Sequence, residues 1–230
     1  MGDNAKASTS MLNRLRAAVL GANDGIVSVS SIVLGVAGAT DSRGAIFTAG
    51  LAGLVAGALS MMVGEYVSVS SQRDTERAFI AREKRRLKAD PQHELDGLAD
   101  IYEAKGLSRA TARKVAQELS ASDALKAHLD AELNLDEDDL NNPWEAGIAS
   151  LLSFTAGGLI PLIAILLASV HLRFGVTFVA VLIALTLTGY LSATVGGASR
   201  RRAILRVVVG GAIAMVVTFA IGHLFGTAIS

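Results

Sequence analysis

The placement of charge constrains this chain more than any other feature. Its 21 Lys and Arg and 21 Asp and Glu are sorted into short stretches of the 230 residues. Between those stretches lie five runs almost free of charge, at residues 17–39, 44–70, 146–169, 174–197 and 203–229. Each is long enough to cross a hydrocarbon core, which takes about 20 apolar residues. Lipid offers the backbone no hydrogen-bond partner, so a run of this kind crosses as a helix. The expected fold is an all-α integral membrane protein of five transmembrane helices, with a helical domain inserted between helices 2 and 3. The boundaries fall at 1–16 for a polar N-terminal arm, 17–71 for the first two spans, 72–143 for the insert and 144–230 for the last three. The arm lacks the charged-then-apolar order of a cleaved signal, and Lys6 stands where a myristoylation motif has Ser or Thr.

Lys and Arg also orient the chain. Three lie in the arm, twelve in the insert and four at Arg200, Arg201, Arg202 and Arg206; the two loops on the opposite side hold Arg43 and Arg173 alone. By the positive-inside rule the arm and the insert are cytosolic and the C-terminus lies outside. A multi-pass protein of a bacterial inner membrane is expected, or of a vacuolar-type membrane if the source is eukaryotic. Small residues recur four apart at Gly21/Gly25, Gly53/Gly57 and Gly222/Gly226. That spacing lets helix backbones approach closely, either inside one chain or across a dimer seam.

The insert reads as helix throughout. Span two has no Gly or Pro between Ser71 and about Ala89 to stop it. Pro91 opens a second helix with Leu95, Leu98, Ile101 and Tyr102 on one stripe and Gly106 as its stop. Ser108 caps a third, whose stripe is Ala112, Val115, Ala116 and Leu119, and Ser122 caps a fourth carrying Leu125, Leu129 and Leu133. The acidic run 136–139 reads as a solvated helix end.

Ionisable side chains inside a span are costly, and each is a functional hypothesis. Asp24 in span one and Glu65 in span two are two such groups, and Met61 is four residues before Glu65 on the same helix face. Two carboxylates and a thioether suit a borderline divalent ion such as Fe(II) or Mn(II). The plain alternative is that Asp24 caps a broken helix and Glu65 reaches back to the headgroups. In the insert Glu76, Glu83, Glu94, Asp96, His128, Asp130 and Glu132 are candidate ligands, set against the ordinary reading of charges on short helices as a solvated face. Absence of cysteine excludes disulfides, Fe–S ligation and thiolate metal sites. No phosphate-cradling Gly-Lys-Ser/Thr loop, Gly-x-Ser-x-Gly or His-Glu-x-x-His motif is present, so neither nucleotide-driven pumping nor an enzyme is expected. The basic run 82–86 suits anionic lipid rather than nucleic acid.

Several blocks together resemble the vacuolar iron transporter family, with its bacterial and nodulin-like members. They are Leu20-Gly21-Ala22-Asn23-Asp24-Gly25, Ala56-Gly57-Ala58-Leu59-Ser60-Met61, and Gly64-Glu65-Tyr66 with the residues running on to Asp74. Leu98 through Leu107 and Gly157-Gly158-Leu159-Ile160-Pro161-Leu162 complete the set. The resemblance implies a homodimer of five-span subunits that moves Fe2+ or Mn2+ out of the cytosol in exchange for protons, for iron and manganese homeostasis. The ion is its substrate, and no cofactor is held permanently. Carried over by position, Asp24 and Met61 match the family's intramembrane metal residues. Glu83, Glu94 and Glu132 match three cytosolic carboxylates, and His128 falls about where a Met ligand stands. Three positions depart. Gly53 replaces a Glu of the plant iron members, leaving Glu65 as the nearest carboxylate, and Arg86 and Gly97 stand where the cytosolic site has Glu. The rival readings are a non-transporting membrane metal sensor and a small-molecule exporter.

Overall fold

The computed structural model describes the backbone of residues 2–137 and 140–229, and the side chains of 17–137 and 140–226. Asp138 and Asp139, half of the acidic run expected to be a solvated helix end, lie outside the described residues. Among those described, regular structure is helical throughout: α1 (Gly2–Ala39), α2 (Arg43–Ala89), α3 (Pro91–Ala104), α4 (Arg109–His128) with a π-helical turn Leu129–Leu133, α5 (Pro143–Leu167), α6 (Arg173–Val195) and α7 (Arg200–Ile229). Five helices are long and apolar enough to cross a membrane: α1 from Ala17, α2, α5, α6 with the short turn before it, and α7. The chain divides into two compact units, Met1–Val67 with Pro143–Ser230, and Ser68–Asn142.

In the first unit α1 supplies the middle of the core. Ile26, Val29, Val33 and Leu34 are buried, together with Ile46 and Leu54 of α2, Phe154 and Ile165 of α5, Val181 and Leu185 of α6 and Met215 of α7. The glycine pairs account for this close packing. A Cβ on Gly25 would run into the Phe154 carbonyl, and one on Gly222 into the Gly35 carbonyl. Gly21 meets the Ser150 backbone, Gly53 the Ile32 side chain, Gly57 the Phe154 ring and Gly226 the Ala39 backbone. All three pairs therefore face neighbours in the same chain, which decides the choice their spacing left open in favour of intramolecular packing. Outward, Leu152, Leu167, Leu187 and Leu205 are each more than half exposed. A surface so rich in large apolar side chains suits lipid and not water.

The two basic residues of the sparsely charged side tie turns together. Arg43 donates to the Ala168 carbonyl at 3.3 Å, and Arg173 to the Asp41 carbonyl at 2.8 Å.

The second unit is built from α2 beyond Val67, α3, α4 and the π turn. Asp90 caps α3 by accepting from the His93 amide, with Pro91 in its first turn, and Gly106 at φ +101° ends the segment in a conformation open to glycine. Ser108 accepts from the Thr111 amide at the start of α4, as its sequence position predicts. The next cap differs from expectation by one residue. Asp123, not Ser122, leaves helical geometry (φ −157°, ψ 99°) and accepts from the Lys126 amide at 2.9 Å. A carboxylate caps at least as well as a hydroxyl, and at this position its charge also faces the helix N-terminus. Leu98, Ala99, Ala116 and Ala127 form a small core flanked by Leu95 and Tyr102. Leu119, expected on the buried stripe, is 39% exposed.

Candidate metal centre

Three helical segments of the second unit converge on one point. Glu83 comes from α2, Glu94 from the first turn of α3, His128 from the last residue of α4 and Glu132 from the π turn. One ligand atom of each lies within 4.8 Å of every other. Glu83, Glu94 and His128 are buried, at 3%, 5% and 1% exposure, and Glu132 stands at the rim.

Local sequence explains the convergence. Pro91 and the Asp90 cap fix where α3 begins, so Glu94 sits in its first turn. The π turn follows His128 directly and ends at Asn134, whose φ of +50° is left-handed. Within it Glu132 stays beside His128, with Oε1 3.2 Å from Nδ1. Turns of this kind occur mostly as single interruptions of α-helix and are frequent at functional sites.

The cluster divides into two halves. His128 Nδ1 lies 3.2 Å from both Glu83 Oε1 and Glu132 Oε1. Metal–ligand bonds of about 2.0–2.2 Å place neighbouring ligands of an octahedral ion roughly 3 Å apart, so both of these N···O separations are suitable. Glu83 Oε1 and His128 Nε2 are buried without a hydrogen-bond partner in the described structure. Buried polar atoms are normally satisfied, so Glu83 Oε1, without a hydrogen bond and beside His128 Nδ1, points to a ligand. The other half is occupied by Arg86. Its Nε and Nη2 take both oxygens of Glu94 at 3.1 and 3.0 Å, and Nη1 lies 3.2 Å from Glu83 Oε2 and 3.7 Å from Glu132 Oε2.

The electrostatics follow from this crowding. Burial raises the Glu83 pKa above the ordinary carboxylate range, and Glu132 and Glu94 push the same way against Arg86 and His128. Burial tends to lower the Arg86 pKa, but Glu83, Glu94 and Glu132 outweigh it and hold the guanidinium charged.

The other sequence candidates lie apart. Glu76 accepts from Gln72 one turn away, Asp96 pairs with Arg113 at 3.3 Å, and Asp130 is exposed. In the first unit Asp24 and Glu65 are both half-buried, and Ser28 donates to Asp24 Oδ1 at 2.9 Å. Met61 packs on the edge of the apolar core. Among the described residues Asp24 and Glu65 join no group of three or more His, Asp or Glu side chains. The resemblance puts Arg86 at a position of the cytosolic site, but the contacts of its guanidinium with Glu83 and Glu94 were not foreseen. Its position three residues after Glu83, one turn on along the same helix face, was the available signal.

With this geometry in hand, comparison with known proteins identifies the lineage. The VIT family model matches residues 15–223, most of the chain and both units. This chain belongs to the VIT family. Within it, the chain is 40% identical to a vacuolar iron transporter of Acanthamoeba castellanii, over 98% of its own length and 84% of that protein. It is 39% identical to vacuolar iron transporter homolog 1 of Oryza sativa subsp. japonica, over 92% of this chain and 74% of that one. For vacuolar iron transporter homolog 1 of Arabidopsis thaliana the identity is 35%, over 93% and 84%. VIT-family similarity thus spans the apolar helices and the four clustered residues alike.

Proposed function

We propose that this chain is a divalent-metal transporter that moves Fe2+ or Mn2+ out of the cytosol in exchange for protons. The observation that carries the reading is the convergence of Glu83, Glu94, His128 and Glu132 from three helical segments within 4.8 Å. Carboxylate oxygen with one imidazole suits Fe(II) and Mn(II). Membership of a family whose relatives are named iron transporters, and five helices able to cross a membrane, support the rest. In this reading the second unit lies in the cytosol, on the side favoured by the Lys and Arg distribution, and collects the ion. Asp24, Met61 and Glu65 form the intramembrane path, and their carboxylates exchange the ion for protons. The working unit is a homodimer. Gly53 supplies no carboxylate early in span two, which leaves that step to Asp24 and Glu65.

Uptake into sealed vesicles of purified protein, with Fe2+ and Mn2+ run in parallel, tests the proposal. Wild-type protein takes up one or both ions and alkalinises the lumen in step, because each ion that enters is exchanged for protons that leave. Asp24→Ala and Met61→Ala, at equal expression, abolish movement. Unchanged transport in both variants would reject the path. Absence of any flux from wild-type protein that still binds metal would favour the sensor reading.

A further inference from the structure

We propose that Arg86 is a resident cation of the carboxylate cluster, so that the cluster takes a single divalent ion on the His128 side and Glu94 serves as the anchor of Arg86 rather than as a ligand. This inference rests on the reading of the cluster as a metal site and sharpens what that site holds.

The oxygens are already divided between two cations' worth of space. Both oxygens of Glu94 face the guanidinium as a fork, at 3.1 and 3.0 Å. Paired contacts of this type are the strongest and most directional that a carboxylate makes with a side chain. Glu83 and Glu132 each turn one oxygen toward Arg86 and the other toward His128. The oxygens turned toward His128 are Glu83 Oε1 and Glu132 Oε1, each 3.2 Å from Nδ1. Glu83 Oε1 is buried on that side and makes no hydrogen bond there, only the 3.2 Å approach to His128 Nδ1.

Charge balance leads to the same division. Three carboxylates and one guanidinium leave the cluster with an excess of two negative charges when His128 is neutral, which one divalent ion cancels. A second divalent ion has to share Glu94 and the inner oxygens with a cation that cannot lose its proton. Within about 4 Å at an effective dielectric near 20, two like charges repel by several times thermal energy. Arg86 therefore excludes the second ion both by occupying its ligands and by repulsion.

Counting bound Mn2+ per chain on the full-length protein in detergent tests this, with the intramembrane residues unchanged throughout. Glu83→Gln and His128→Ala lose an ion relative to wild type, whereas Glu94→Gln keeps the wild-type count. Arg86→Glu gains an ion. Arg86→Gln, a milder change in case the added carboxylate impairs folding, binds Mn2+ about tenfold more tightly or better, as removal of a repelling charge at this range requires. Loss of an ion in Glu94→Gln, or a wild-type count and affinity in both Arg86 variants, overturns the role of Arg86 while leaving the metal site intact. A wild-type count in Glu83→Gln and His128→Ala instead removes the metal site itself, and this inference with it.

Discussion

Glu83 is buried with one oxygen toward Arg86 and the other toward His128. Because burial raises its pKa, the folded state holds the Glu83 proton more tightly than the unfolded chain does. That contribution to stability is complete below the ordinary carboxylate range and is lost as pH rises through the raised midpoint. In the presence of a chelator, wild-type protein should therefore lose stability relative to Glu83→Gln as pH rises from the ordinary carboxylate range toward neutral. Thermal unfolding across that range measures it, and parallel curves for the two proteins would refute the assignment. One helical turn separates His128 from Glu132, so that pairing is legible from spacing alone. That Glu83 and Glu94 join them was available through family resemblance and not from spacing, since three helical segments must meet to bring it about. Arg86 was legible as a departure from the family pattern. Its fork onto Glu94 was not, because nothing in sequence separation aims a side chain across a corner between two helices.

At the scale of elements, local chemistry made most boundaries readable. Pro91, Gly106 and Ser108 each enforce a stop or start by their own backbone or side-chain preference. The cap at Asp123 was missed by one residue because Ser122 and Asp123 are both good caps and only the path of the chain chooses between them. Close helix contacts were visible as spaced glycines, though not which helix each would meet. Gly25 now gives a sharp comparison. A methyl group there would collide with the Phe154 carbonyl, while one at Gly64 would meet nothing within 4 Å. Gly25→Ala should cost about 1–3 kcal/mol, the usual range for overpacking, against a helix-propensity gain of up to about 1 kcal/mol. Gly64→Ala should be neutral or mildly stabilising. Unfolding temperatures in detergent report both, and equal behaviour of the two variants would contradict the contact between α1 and α5.

For the whole molecule, the five apolar helices were legible because lipid tolerates so few charges that the sorting is written along the chain. Orientation rests on the same sorting and is open to a direct test. The protein has no cysteine, so single cysteines report cleanly. Gly97 stands in open space on α3, and Ser42 is exposed in the turn between α1 and α2. A membrane-impermeant maleimide should label Gly97→Cys from the cytosolic face alone and Ser42→Cys from the opposite face alone. The reverse pattern would invert the topology and place the Glu83, Glu94, His128 and Glu132 cluster on the receiving side of the membrane.

The π turn after His128 adds a freedom of another kind. In register terms it acts as an insertion within what would otherwise be one regular helix. Removing Ala131 would return the segment to α-helical register and leave Glu132 three residues after His128, still on the same helix face. The extra residue, and not the pairing of the two side chains, is what the π turn adds to the chain. A single-residue gap across Leu129–Leu133 in a relative would therefore be compatible with the same cluster.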